Sequence, residues 1–204
     1  MYFACVSDSN QNIKQTIKMK KSLRTLGIAI GFALLGTSVF AQKETTMVGG
    51  AAMFPMKNIV ENAVNSKDHT TLVAAVKAAG LVDALMGPGP LTVFAPVNAA
   101  FDKLPSGTVE MLLKPENKST LAKVLTYHVV AGKIDAKELM KLIEKGKGQA
   151  KLKTLSGGTL IAKMNGDMNI SITDEKGGVA NISIYNVYQS NGVIHSLDTV
   201  LLPM

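Results

Sequence analysis

The 204-residue sequence has no tryptophan, a single arginine (Arg24) and a single cysteine (Cys5). Aromatic residues make up 5% of the chain, so the stacking platforms that hold bases or sugars are scarce. One arginine cannot supply the bidentate forks that grip phosphate or guanine, and nucleic acid is set aside as a partner. One cysteine excludes an internal disulfide and a zinc site built on several thiolates. There is no His-x-His, no His-Glu-x-x-His, no P-loop, no Gly-x-Ser-x-Gly and no dinucleotide fingerprint. No motif calls for a cofactor or a resident metal.

Excess positive charge is also scarcer than the net +7 suggests. Met19-Lys20-Lys21-Ser22-Leu23-Arg24 is basic, Leu26 to Leu35 is apolar, and Val39 and Ala41 place small residues ahead of Gln42. This is the pattern of a secretory signal peptide, with Met19 as the start and cleavage after Ala41. The apolar run is too short to span a bilayer, which takes about 20 residues. Removing residues 1–41 takes away five of the 22 basic and one of the 15 acidic residues, leaving 17 lysines against 14 acids. It also removes Cys5. The exported remainder is long enough for one packed core and is expected in the periplasm or outside the cell. Its sequence leaves the oligomeric state open.

Residues 42–54 are polar and then rich in Gly and Ala, and read as a flexible leader before a domain over 55–204. Ile59, Val60, Ala63 and Val64 share a helical face, as do Leu72, Val73, Val76 and Ala79, ended by Gly80. Leu91 to Ala95 reads as a buried strand stopped by Pro96, and Asn98 as the cap of a short helix through Phe101 to Leu104. Leu121, Val124 and Leu125 form another helical stripe, and Tyr127 to Val130 reads as a strand. Asp135 and Glu138 suggest a capping box. After Gly148 the chain turns to short strands, with Thr159–Met164 pairing Met168–Thr173 across Asn165-Gly166. Helices leading and strands following predict an α+β fold with helices to one side of a largely antiparallel sheet.

Three stretches carry a family resemblance. Thr92-Val93-Phe94-Ala95-Pro96-Val97-Asn98-Ala99-Ala100-Phe101 resembles the first signature box of fasciclin (FAS1, beta-Ig-H3) domains. Leu125 to Gly132 resembles their tyrosine–histidine motif. Asn191-Gly192-Val193-Ile194-His195-Ser196-Leu197-Asp198, with Val200 to Pro203, is similar to their closing box. The resemblance implies a wedge-shaped β-sandwich covered by a layer of helices. It also implies a bacterial extracellular module for cell adhesion, one that binds a protein or polysaccharide and performs no chemistry. Val97, Asn186 and the pair Ser196-Leu197 depart from the residues common in the family.

Tyr127 and His128 are the candidates for partner binding. Neighbours on a strand face opposite ways, so one is expected inside and the other near the surface. Alternatively His128 is a core histidine bonded to Thr92 or Asn98. His195 reads as structural, and Ser196 beside it points to the other face. A zinc site from His69, His128 and His195 has the right residue type without the right spacing. Asp198 suits a salt bridge or a turn. The lysines at 133, 137, 141, 145, 147, 151 and 153 read as a solvated face or as a contact for anionic polysaccharide or a membrane surface. A second function class is a binding protein for a small apolar ligand or glycan, held between helices and sheet.

Overall fold

A computed structural model describes residues 45–204. The expected signal peptide and cleavage point, with Cys5 and Arg24, lie outside the described residues. The description begins with a hairpin, β1 (Thr46–Val48) against β2 (Ala51–Met53), where the sequence suggests a flexible leader. Gly49 and Gly50 both take positive φ, 57° and 74°, which a tight two-residue turn demands and glycine meets without strain. Val48 and Met53 then point into the core. The glycines that read as flexibility are the turn itself.

Seven further strands form one sheet: β3 (Leu91–Pro96), β4 (Val129–Ala131), β5 (Gln149–Lys153), β6 (Thr159–Asn165), β7 (Asn169–Thr173), β8 (Val179–Gln189) and β9 (Gly192–Leu197). Their order is β4-β3-β9-β8-β7-β6-β5. Every pairing is antiparallel except β3 with β9, which run parallel in the register Phe94↔His195 and Ala95↔Ser196. The register of β8 against β9 shifts twice between Ile182 and Val187, and Asn186 sits there at φ 58°. Such bulges bend a strand. The sheet folds over along β8 until its ends meet, where Val130 bridges Thr154 and the Leu155 amide donates to the Val129 carbonyl at 2.8 Å.

Among the described residues seven α-helices accompany it: α1 (Ile59–Ala63), α2 (Thr70–Ala79), α3 (Val82–Met86), α4 (Asn98–Phe101), α5 (Thr108–Leu112), α6 (Lys118–Tyr127) and α7 (Ala136–Lys145). A capping box between Asn58 and Glu61 starts α1. Asp135 caps α7 through the Glu138 amide at 2.9 Å, while the Glu138 carboxylate turns to Lys141. Gly80 closes α2 at φ 72°, as its place after the apolar stripe predicts.

The fold has two hydrophobic cores. One fills the folded sheet, with Phe94, Tyr127, Leu160, Ile172 and Leu197 at its centre and Leu139 and Ile143 of α7 plugging one side. The other lies between the opposite face of β3, β9 and β8 and the helices α1, α2, α3 and α6. Alternation along β3 feeds both: Phe94 goes to the first core, Val93 and Ala95 to the second. This is the α+β sandwich with a helical layer that the sequence predicts.

Gly192 opens β9 where it passes closest to β3. A Cβ there would overlap the Leu91 carbonyl oxygen, and one at Gly89 would overlap the Asn191 carbonyl. The Asn-Gly pair thus serves close backbone approach, and the turn itself is made by Ser190 and Asn191. Gly192→Ala should force β3 and β9 apart and cost about 2 kcal/mol or more, read as a lower urea midpoint.

Candidate functional site

Tyr127 and His128 do not lie on a strand. Tyr127 is the last residue of α6, His128 follows it, and β4 begins at Val129. Leu121 and Leu125 bury in the core under the helical layer, whereas Tyr127, on the far side of the last turn of α6, buries in the sandwich core. Both rings are buried, so neither is presented to a partner and the expected in-and-out split is absent. The Tyr127 hydroxyl donates to the Thr159 carbonyl and accepts from the Glu175 amide, each at 3.0 Å. It ties the end of α6 to two turns of the sheet. Burial raises its pKa, against the opposing effect of the Glu175 amide.

His128 bonds neither Thr92 nor Asn98. Its Nδ1 lies 2.8 Å from the Val124 carbonyl, and its Nε2 accepts from the Leu201 amide at 3.0 Å. An acceptor at Nε2 and a donor at Nδ1 specify one neutral tautomer. Desolvation pushes this imidazole down to about 4, although the Val124 bond and the charge of Asp174 act the other way. His195 is wired in the same manner. Its Nε2 meets the Ile134 carbonyl at 2.9 Å, and its Nδ1 accepts from the Asn186 amide at 3.4 Å. Its ring stacks on Phe94 with centroids 5.7 Å apart. Burial lowers its pKa too.

The other signature residues hold backbone. The Thr92 hydroxyl donates to the Gly132 carbonyl at 2.7 Å and accepts from the Ile134 amide at 2.8 Å. Asn98 does not cap its own helix. Its Oδ1 accepts from the Thr71 amide at 3.1 Å, so it caps the start of α2, and its amide donates to the Lys67 carbonyl. Asn191 accepts from the Ile59 amide and donates to the Leu85 and Gly87 carbonyls, pinning α1 and α3 to the start of β9. Asp198 receives the Asn181 amide at 2.8 Å and stands 4.0 Å from the Lys103 ammonium. Phe94, Ala95 and Pro96 are buried in β3, and Phe101 packs half-buried on the second core.

The third histidine leads to a feature that the sequence reading missed. His69 Nδ1 lies 2.9 Å from the Ser66 hydroxyl, and its Nε2 lies 3.4 Å from the Ser196 hydroxyl. As expected, Ser196 faces away from His195. Ser66, His69 and Ser196 are buried at one wall of a cavity of about 170 Å³ between α1–α3 and the sheet. The rest of the wall is mostly hydrocarbon, including Ile59, Leu72, Val76, Val93 and Ile194. Ser196 is 127 residues from His69, so no local pattern could have joined them. Among the described residues, no three His, Cys, Asp or Glu side chains gather into a group that could hold a metal ion, and His69, His128 and His195 form no such cluster. No helix among them is long and apolar enough to cross a membrane.

On the outer surface, β5 alternates exposed Gln149, Lys151 and Lys153 with buried Ala150 and Leu152. Lys163 of β6 is paired in register with Gln149, which places it on the same outward face. Lys141, Lys145 and Lys147, on and after α7, are exposed as well.

Two outcomes follow from the buried rings. The unfolded chain binds protons on its histidines below about pH 6.5, whereas the folded chain keeps His128 neutral to about pH 4. The stability contributed by neutral His128 is whole above pH 6.5, falls as the pH drops to 4 and levels off below that. The loss is about 3 kcal/mol. Burial makes His69 and His195 act in the same direction. Urea unfolding across this window should show the slope, and His128→Asn should flatten it. Tyr127→Phe leaves the Glu175 amide and the Thr159 carbonyl without their partner. It should lower stability by about 1–3 kcal/mol in the same assay.

Comparison with known proteins agrees with this geometry. The family model for the fasciclin domain matches residues 67–203. The chain is 45% identical to Protein sll1483 of Synechocystis over 178 residues, covering 85% of this chain and 91% of that one. It is 34% identical to the immunogenic protein MPB70 of Mycobacterium bovis, covering 69% of this chain and 66% of that one. It is 32% identical to the cell surface glycolipoprotein MPB83 of the same species, covering 82% and 70%. Among solved structures, a FAS1 domain pair from the insect cell adhesion molecule fasciclin I aligns with a TM-score of 0.64 at 18% identity. That alignment spans 72% of this chain and 51% of the insect one and speaks for the fold. The signature boxes, the folded sheet with its helical layer and the match over residues 67–203 place this chain in the fasciclin family.

Proposed function

We propose that the chain is an exported, non-enzymatic adhesion module that binds an anionic extracellular or cell-surface polysaccharide. The observation that carries this reading is the outward lysine face of β5 and β6, Lys151, Lys153 and Lys163, continued by Lys141, Lys145 and Lys147 around α7. Rigid strands hold the first three, and an array of ammonium groups on a fixed scaffold suits a repeating anion better than a single small one. Lysine is also the residue expected on an edge strand such as β5, where it deters strand addition. Polymer binding therefore needs its own test.

Three further observations support the reading. His128 and His195 each have both ring nitrogens bonded to backbone groups, so neither is poised as a general base. The basic stretch and apolar run at the N-terminus have the pattern of an export signal. A relative, MPB83, is itself a cell surface glycolipoprotein.

Binding to immobilised polyuronate, followed by surface plasmon resonance across a salt series, tests the proposal. The native chain should bind with an affinity that falls steeply as salt rises. Lys151→Glu, Lys153→Glu and Lys163→Glu together should weaken binding by about tenfold or more at low salt and flatten that dependence. Equal binding by the triple variant rejects the lysine face as the docking surface.

A further inference from the structure

The cavity beside α2 lies on the opposite face of β3 and β9 from the sandwich core, away from the lysine strands. Its polar lining residues are Ser66, His69, Lys77, Thr126, His128 and Ser196. Lys77 is exposed and Thr126 half-buried, and both ring nitrogens of His128 are taken by backbone. The hydrogen-bonding capacity inside is therefore the chain Ser66–His69–Ser196. Its Ser196–His69 link, at 3.4 Å, is long for a hydroxyl bonded to a ring nitrogen. Each serine hydroxyl offers one proton and two lone pairs, more than this chain uses. Lys77 and His69 stand about 12 Å apart along the axis of α2, so the space has a polar end and a rim at the other end of the helix.

The chemistry of the lining narrows the occupant. Burial lowers the pKa of His69 against the opposing effects of its bond to the Ala95 backbone and the charge of Asp68, so the polar end is uncharged near neutrality. A carboxylate or ammonium brought there would lose its water against no buried counter-charge, which is costly. A hydroxyl or carbonyl would find partners. An apolar cavity of about 150 Å³ is known to admit benzene, and this one, at about 170 Å³, is of that class. A mostly apolar pocket with a few convergent polar groups is the general form of a small-molecule site.

We propose that this cavity binds a small neutral molecule, largely apolar and carrying one hydroxyl or carbonyl. That group bonds the Ser196 hydroxyl beside His69, whose ring is already held by Ser66 and the Ala95 backbone, and the ring or short chain lies along Leu72, Val73 and Val76. The site is separate from the lysine face, and its failure would leave the polysaccharide reading to its own test.

Isothermal titration calorimetry of the purified chain with para-ethylphenol, ethylbenzene and para-ethylbenzoate tests it near neutral pH. One para-ethylphenol should bind per chain, about tenfold or more tighter than the benzoate. Ser196→Ala should bring the phenol down to the affinity of ethylbenzene and leave ethylbenzene unchanged. Val73→Phe fills the space and should abolish phenol binding while the thermal transition is kept. Ala63→Leu serves the same purpose if the first variant does not fold. The proposal is overturned by any of four results: no saturable phenol binding, benzoate binding as tightly as phenol, an unaltered preference in Ser196→Ala, or undiminished binding in a folded cavity-filled variant.

Discussion

The parallel ladder between β3 and β9 is the constraint on which the rest of the structure depends. A parallel pair cannot be closed by a tight turn, and here the connection is nearly everything between Pro96 and Gly192. Helices α4 to α7 and strands β4 to β8 are all crossover. The ladder sets the positions of two residue pairs at once. Phe94 lies beside His195 and the two rings stack in the sandwich core. Ala95 lies beside Ser196, one residue on, and both face the helical layer. A slip of one residue would exchange the two faces and bury the wrong set on each side. Asn191, Gly192 and Gly89 guard this register by letting the two backbones close at their starting ends.

The polar residues inside follow from the same arrangement. A sandwich with ends that merely touch leaves backbone groups at its seams without strand partners, and each must be satisfied. Thr92 serves the loop after β4, Asn98 the start of α2, His128 the C-terminal segment and His195 the loop before α7. Among the described residues, no buried side-chain nitrogen or oxygen lacks a partner. The imidazoles belong to this group. A neutral histidine carries one donor and one acceptor on a rigid ring, so it can join a carbonyl on one element to an amide on another. Acid removes the acceptor, which is why these rings tie stability to pH.

How far the sequence revealed this depends on whether a feature is local. The three boxes were readable because each is a contiguous run, and the hairpin from Thr159 to Thr173 because Asn165-Gly166 marks its turn. The α+β order and the cap at Gly80 rest on periodicities within single elements. Apart from the β1–β2 hairpin, whose short strands and paired glycines read as a leader, most of what failed needed a partner far along the chain. Asn98 looked like the cap of the helix it begins, and caps another helix 27 residues away. Tyr127 sits between a helical stripe and a pair of β-branched valines, and only packing of α6 on the sheet decides for the helix. The cavity is invisible in the sequence because its polar wall joins Ser66 and His69 to Ser196 across the fold.

The two cores also differ in a way that bears on function. The sandwich core is closed by strands on both sides, and α7 plugs it with Leu139 and Ile143. Sheet alternation dictates most of its side chains. The second core is roofed by short helices, α1 and α3 of five residues each. Helices so short have little stability of their own and hold position through packing and through Asn58 and Asn191 at their ends. A roof built this way covers the sheet without filling the space beneath it, and the cavity lies there. The strands that face the lysine surface belong to the other half of the sheet. The fold thus places a charged outer face on its β5–β6 side and an apolar hollow on its helical side. The β3–β9 ladder holds the sheet between them.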